Sequence, residues 1–340
     1  MKDGKGPPRN RTYILLHNIK KNKISVWGLG SHALNNIIPA IYDLESIELY
    51  GVYSRNKSIV DACCEKYGCK TWDTPDQMLQ DNNLDTVMLT TPTGLHYEQG
   101  LDIINAKKHF WCDKTLSMNY EETEDLINLS KKFASSICEG FMFLYHPHFE
   151  YIKSCINNNE IGEVISLNCR FGLPPLENPG FRLKKELGAS CLHDVGSYSI
   201  VMILELFAPK KVEILNSKLI LNKSNIDVGG YVLVKIEDSI MVYLEWYYDK
   251  SYRNDLDIWG SKGSINTYKI FSKKPNFRPI IFKRGLNGSP EEIELESSNH
   301  FTSMFDNFNA TIDSNKKKNH ERASILKRAQ LIDKIKKYSF

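Results

Sequence analysis

A glycine-bearing turn between the first buried strand and the first helix constrains this chain more than any other feature. Ile24-Ser-Val-Trp27 is a short apolar run, followed at once by Gly28-Leu29-Gly30-Ser31-His32-Ala33 and by an amphipathic stretch from Leu34 to Leu44. In a strand–turn–helix unit of this kind the first glycine permits the tight turn. The second lets backbone approach a pyrophosphate, and a small third residue lets helix pack on strand. The phosphates would rest on the unpaired amides and the positive end of the helix. Beyond it, apolar runs and helical patterns alternate. Strands are read at Ile47–Tyr53, Thr86–Thr90, His109–Cys112 and Ser136–Phe141, with helices at Ser58–Tyr67, His96–Ala106 and Tyr120–Phe133. Such alternation requires right-handed βαβ crossovers, hence a doubly wound parallel sheet of the Rossmann type over residues 23–145.

The pattern changes after Pro147. A helix (Phe149–Asn157) and a strand (Val164–Phe171) lead through a proline-containing loop into a helix carrying Asp194 and ending near Phe207. From Val212 to Phe282 the runs have period two, with hairpin breaks at Glu237-Asp238 and Lys262-Gly263, so an open, largely antiparallel sheet is expected. Two helices, Asn299–Ile312 and Glu321–Lys336, close the chain. Residues 146–340 thus read as a second, α/β domain for substrate binding and oligomerisation, and the polar first 22 residues as a flexible extension.

A length of 340 residues, 41% hydrophobic and 25% charged, is that of an ordinary globular protein of two domains. The net charge of +3, with basic residues scattered, argues against a nucleic-acid partner. No run of 18 apolar residues suggests a membrane span. The eight cysteines have neither paired CxxC spacing nor histidines at zinc-site distances, which points to reduced thiols in the cytoplasm and no metal.

At the tip of the second strand, Ser54-Arg55 stands where an NAD-preferring site places a carboxylate. A hydroxyl beside a guanidinium suits a 2′-phosphate, so NADP is favoured over NAD. Asp113-Lys114 falls at the carboxyl edge of the sheet, where ligands bind in such folds. Farther along, Gly188-Ala-Ser-Cys-Leu-His193-Asp194-Val-Gly196-Ser-Tyr198 puts a carboxylate and a phenol four residues apart, on one helix face. A lysine near such a phenol would favour its ionised form.

Gly28-x-Gly30-x-x-Ala33, Thr91-Pro92-Thr93-x-x-His96, Asp113-Lys114 and Gly188 through Tyr198 resemble, in order and spacing, the glucose–fructose oxidoreductase/inositol dehydrogenase family. The likeness covers about residues 23–312. It implies a nicotinamide cofactor held by Gly28, Leu29, Gly30, Ser31, His32, Ser54, Arg55, Thr91, Pro92, His96 and Lys114. It also implies a catalytic group of Lys114, Asp194 and Tyr198, and assembly into a homodimer or homotetramer. Tyrosine at the last position looks like members acting on aldoses, dihydrodiols and nucleotide-linked keto sugars; inositol-type members carry histidine.

Two departures stand out. The family's Glu-Lys-Pro has become Asp113-Lys114-Thr115, and its Gly-Gly-Gly-Ala has become Gly188-Ala-Ser-Cys191. Tyr145 and His146, in the segment entering the second domain, together with Arg182 and His193, are expected at the substrate. The expected activity is NAD(P)-dependent hydride transfer to or from a carbinol or carbonyl carbon of a sugar, free or nucleotide-linked. Tyr198 would act as general acid/base with its pKa lowered by Lys114, and Asp194 would orient the sugar. A dihydrodiol or aldose dehydrogenase, and a catalytically silent cofactor-binding member, are the alternatives.

Overall fold

The computed structural model describes residues 21–339; residues 1–20 of the expected extension lie outside them. Asn22 already opens the first strand, β1 (Asn22–Trp27), and its side chain is tied to Thr86 and Asn309. β2 (Ile47–Tyr53), β3 (Lys70–Thr71), β4 (Thr86–Leu89), β5 (His109–Asp113) and β6 (Ile137–Gly140) complete a parallel sheet in the order β3-β2-β1-β4-β5-β6. Every residue of β4 and β6 is buried: β4 is a central strand covered on both faces, and β6, at the edge of the sheet, is covered by the helix Asn315–Tyr338. Strand order reverses between β1 and β4, and a crevice opens there at the carboxyl ends.

Helices cover both faces of this sheet. A π-helical turn (Ala33–Ile37) runs into α1 (Ile38–Tyr42), followed by α2 (Lys57–Tyr67), α3 (Pro75–Leu79), α4 (His96–Asn105) and α5 (Tyr120–Lys132). Local chemistry fixes their ends. The Asn56 side chain caps α2 by accepting from the Ile59 amide, and Gly68, at φ 65°, ends it in a left-handed turn. Asn119 caps α5, with Glu121 and Glu122 in its first turn and Lys131 and Lys132 in its last. β3 and α3 were not anticipated, because two and five residues are too few to establish a period.

The second domain contains α6 (Pro147–Asn157), β7 (Val164–Gly172) and α7 (Ser197–Leu206). β8 (Val212–Leu221), β9 (Asp227–Ile236), β10 (Ile240–Tyr247), β11 (Arg253–Gly260), β12 (Gly263–Tyr268), β13 (Ile280–Gly285) and β14 (Pro290–Glu294) follow. With β7 they make an eight-stranded sheet, antiparallel except where β7 lies parallel to β10. One face, including Leu167, Phe171, Val242, Leu244 and Trp246, is buried and packs on α7. The other is open, with Arg170, Met241 and Trp259 exposed. The stretch 185–206 is long and apolar enough to cross a membrane by length and composition, although Lys185, Glu186, His193, Asp194 and Glu205 interrupt its apolar run. Most of it is buried in this domain, as a core helix is.

α8 (His300–Ile312) packs on α1 of the first domain, and α9 (Asn315–Tyr338) lies against both domains, on α5 and β6 of the first and on α7 and β8 of the second. From α9, buried Arg328 pairs with Glu139 of β6 (3.4 Å), Glu205 of α7 (3.0 Å) and Glu321 (3.3 Å). That guanidinium joins both domains behind the crevice. A buried charge is tolerated only with such partners.

Candidate active site

The crevice is a cleft of about 790 Å³ between the carboxyl edge of the first sheet and residues 178–198 of the second domain. Its floor is the Gly28–His32 turn. Gly28 has φ 106°, and a methyl group on it would lie 2.9 Å from the carbonyl carbon of Thr90. Nothing lies within 4 Å of a methyl placed on Gly30, so its backbone faces open space in the cleft. This glycine cradle and cleft volume fit a dinucleotide. Ser54, Arg55, Thr91, Pro92 and Lys114 also line it. Asp113 and Asp194 are its acidic lining residues, so among the described residues no other carboxylate lines the cleft with Ser54 and Arg55.

His96 does not line the cleft. It is buried beneath the Thr91–Pro92 loop, with Nε2 2.7 Å from the Thr91 carbonyl oxygen and Nδ1 2.8 Å from that of Thr115. It therefore clasps the two loops that carry cofactor-side residues. Burial, opposed by those carbonyls, pulls its pKa below the usual histidine value.

Asp194 is the hub of the catalytic end. Lys114 Nζ donates to its Oδ1 at 2.7 Å and to its backbone oxygen at 2.6 Å. Arg182 Nε donates to Oδ2 at 2.6 Å, and the Tyr248 hydroxyl to the same oxygen at 2.9 Å. Burial opposes the charge, but Lys114, Arg182 and Tyr248 outweigh it and hold the carboxyl well below the usual carboxylate range. Tyr248, at the end of β10, was missed in the sequence. A tyrosine finishing an alternating strand gives no signal that its hydroxyl turns inward.

Tyr198 lines the cleft through 8% of its surface and is packed among Phe141, Phe143, Phe171 and Phe271. Its hydroxyl points to Met142 Sδ at 3.6 Å, and Lys114 Nζ sits over its ring, 5.0 Å from the centroid. The expected lowering by Lys114 is not what this environment produces. Burial, with Asp113 and Asp194 adding to it, pushes the phenol well above its ordinary value. Tyr198 is thus held protonated.

Three further expectations are corrected. His193 points away from the cleft, its Nδ1 2.9 Å from the Thr115 hydroxyl, and burial takes it down to about 3. Tyr145 packs on Phe308 with its hydroxyl near Asn307. His146 is fully buried beside His148 and His300. Neither Tyr145 nor His146 lines the cleft, because the chain turns inward at Met142–Tyr145 to start α6. The altered Ala189–Cys191 side chains are likewise absent from the lining. Ser190 Oγ donates to Asp227 Oδ2 at 2.6 Å, and Cys191 is buried in the core. Gly188, at φ 81°, keeps the close approach, touching Gly94 of the Thr91–Leu95 loop.

Comparison with known proteins agrees with this geometry. Residues 22–140 match the model for the oxidoreductase family with an NAD-binding Rossmann fold, and residues 149–266 that for the GFO/IDH/MocA C-terminal domain. A dTDP-3,4-didehydro-2,6-dideoxy-alpha-D-glucose 3-reductase of Saccharopolyspora spinosa is 25% identical, over 81% of this chain and 83% of its own. A trans-1,2-dihydrobenzene-1,2-diol dehydrogenase of Xenopus tropicalis is 24% identical over 58% of this chain and 59% of its own. The crystal structure of a 3-ketoreductase from Actinomadura kijaniata, in complex with NADP and TDP-benzene, superposes with a TM-score of 0.88 at 21% identity. That match covers 94% of this chain and 98% of the other. With its glycine cradle, its Lys114–Asp194 pair and both domain models matched in order, this chain belongs to the GFO/IDH/MocA family of NAD(P)-dependent oxidoreductases.

Proposed function

We propose that the protein reduces the ketone of a sugar, free or nucleotide-linked, using NADPH, with Tyr198 as proton donor. The observation that carries this reading is the buried, protonated phenol lining the cleft beside the Lys114–Asp194 pair. When bound, the cofactor supplies the hydride. Lys114, anchored on Asp194, retains a donor for a substrate oxygen, since an ammonium has three. Asp194 and Arg182 offer an acceptor and further donors to the sugar hydroxyls. As negative charge develops on the carbonyl oxygen, the Tyr198 hydroxyl delivers its proton, and reprotonation from solvent resets it.

Oxidation of a dihydrodiol or an aldose would require the same phenol to act as base. Its raised pKa disfavours that direction, although the similarity to the dihydrodiol dehydrogenase keeps it as the second reading. A silent cofactor-binding role loses its motive, since the altered Ala189–Cys191 side chains stay out of the cleft. The open face of the second sheet, with Trp259 61% exposed, fits association into a homodimer or homotetramer. All eight cysteines are free thiols, which fits the reducing cytoplasm.

The test is NADPH oxidation on a panel of keto sugars. Tyr198→Phe should depress turnover by roughly 10²–10⁴-fold while cofactor affinity stays within a factor of two or so. Near-normal turnover in that variant would remove the proton-donor role.

A further inference from the structure

A groove beside the catalytic cleft has no part in the hydride step. The chain leaves β12 at Lys269 and returns to the sheet at Ile280. This segment, with Tyr252 from the β10–β11 turn and Asn36 from the first domain, borders a cavity of about 640 Å³. Lys269, Lys273 and Lys274 line it, and among the described residues no carboxylate does.

None of these lysines is paired with an acid among the described residues. Lys269 holds its ammonium 4.6 Å from the centroid of the Phe277 ring. Lys273, 8% exposed, makes one bond to the Ile270 carbonyl (2.8 Å), and its neighbours His146, His148 and His300 are kept neutral by burial. Burial also brings Lys273 itself down to about 7. A buried ammonium without a counter-charge is costly, and an anion would relieve that cost. Lys274 is exposed, whereas Arg278 at the rim is already taken by Glu294 and Glu296.

The groove adjoins the cleft. Asn36 Nδ2, in its wall, lies 3.1 Å from His32 Nδ1, and His32 lines the catalytic cleft 3.7 Å from Asp113. The wall of the groove therefore touches a residue that lines the cleft, and Asn36 and His32 mark the way from one to the other.

We infer that this groove binds the nucleoside diphosphate of a nucleotide-linked sugar, with the lysines on the phosphates and the Tyr252 and Phe277 rings facing the base. This rests on the sugar-ketoreductase reading and deepens it by naming the substrate class. Lysines act as point charges toward phosphate oxygens. Tyr252, 45% exposed, and Phe277 offer aromatic faces on which any base can stack. A hexose phosphate shares the phosphate chemistry but has nothing to place on those rings.

Calorimetric titration tests this on the full chain saturated with NADPH, so that the cofactor site is filled. Thymidine diphosphate, inorganic pyrophosphate and glucose 6-phosphate are the probes. Thymidine diphosphate should bind more tightly than the other two and weaken by roughly tenfold or more in Lys274→Glu and in Lys269→Glu. Tyr252→Ala should weaken the nucleotide and leave pyrophosphate unchanged. Lys274 and Tyr252 are exposed, so those variants should fold, which an unchanged Tm would verify. No nucleotide binding, or binding indifferent to both lysine changes, overturns the groove. Glucose 6-phosphate binding as tightly as the nucleotide, with Tyr252→Ala silent, overturns the nucleoside assignment.

Turnover separates this inference from the reading beneath it. Reduction of a thymidine-diphosphate-linked keto sugar with kcat/KM unchanged in Lys274→Glu would overturn the groove and keep the reductase. Lysine-dependent nucleotide binding, with no NADPH oxidation on any keto sugar, would do the reverse.

Discussion

Lys114 donates to the Asp194 carboxylate at 2.7 Å and to the Asp194 backbone carbonyl at 2.6 Å, so one ammonium grips both ends of the same residue across the two domains. The first bond fixes charge, and the second fixes where the helix entry carrying Tyr198 sits relative to the Rossmann edge. Lys114 is therefore a clamp, and in the proposed reaction it is a substrate donor as well.

Replacing Lys114 by Met should reveal both roles. Turnover should fall by about 10²-fold or more, as expected for losing an electrostatic donor at the reacting oxygen. Asp194 keeps Arg182 and Tyr248, so stability should fall by only about 1–3 kcal/mol, less than for an abandoned buried carboxylate. Steady-state kinetics and urea unfolding measure the two. A variant of full activity and lowered stability would leave Lys114 as a clamp alone.

The two turn glycines should behave differently when each becomes alanine. At Gly28 the positive φ and the Thr90–Thr91 backbone leave no room, so Gly28→Ala should destabilise by about 1–3 kcal/mol. At Gly30 the space is open, so Gly30→Ala should fold with an unchanged Tm. Its methyl would nevertheless stand where backbone meets the pyrophosphate, and NADPH affinity should drop by roughly tenfold. Equal Tm losses in both variants, with cofactor binding intact in Gly30→Ala, would contradict this division.

Much of this fold was legible because its signals are periodic and local: buried runs at β1, β4 and β5, and glycines where the backbone demands them. The hairpin at Glu237 was readable for the same reason, as that residue takes φ 51° between paired β9 and β10. The errors fell on residues whose direction depends on tertiary packing. His96, His146 and His193 sit in or beside recognisable motifs, yet each imidazole is turned into the interior. Tyr198 was placed near Lys114 correctly, but its pKa shift came out with the wrong sign. Four phenylalanines from three separate segments surround it, and no spacing reports that.

Those buried imidazoles give the protein an acid-side weakness. Burial takes His146 and His193 to about 3 and His300 to about 2, against about 6.5 in the unfolded chain. Their folded pKa values are depressed, so the unfolded chain binds more protons, and their stabilising contribution, full above about pH 6.5, is lost as pH falls through the window below it. At pH 5.5 each costs about 1 kcal/mol, before most carboxylates titrate. Glu139 and Asp227, raised by burial, act in the opposite sense. Tm should therefore drop by roughly 5 °C or more between pH 7.5 and 5.5. His300→Phe should flatten that slope, because both His300 nitrogens lack partners. A Tm independent of pH over this range would mean that the imidazoles are solvated.

The proposed NADPH preference rests on the far end of the cleft. Arg55 is exposed on its wall beside Ser54, and among the described residues no carboxylate lining the cleft there offers to accept bonds from a ribose 2′-hydroxyl. A guanidinium facing a 2′-phosphate makes charge-assisted bonds worth about 1.5–3 kcal/mol, so Arg55→Ala should weaken NADPH by roughly tenfold or more. NADH, which lacks the phosphate, should be affected by less than about twofold. Arg55→Asp should go further and invert the preference, since a carboxylate repels the phosphate and accepts from the ribose. Fluorescence titration of the unmodified protein and both variants with both reduced cofactors measures these affinities without needing the sugar. Equal affinities for the two cofactors in the unmodified protein, left unchanged by Arg55→Ala, would show that the guanidinium does not contact the 2′ position.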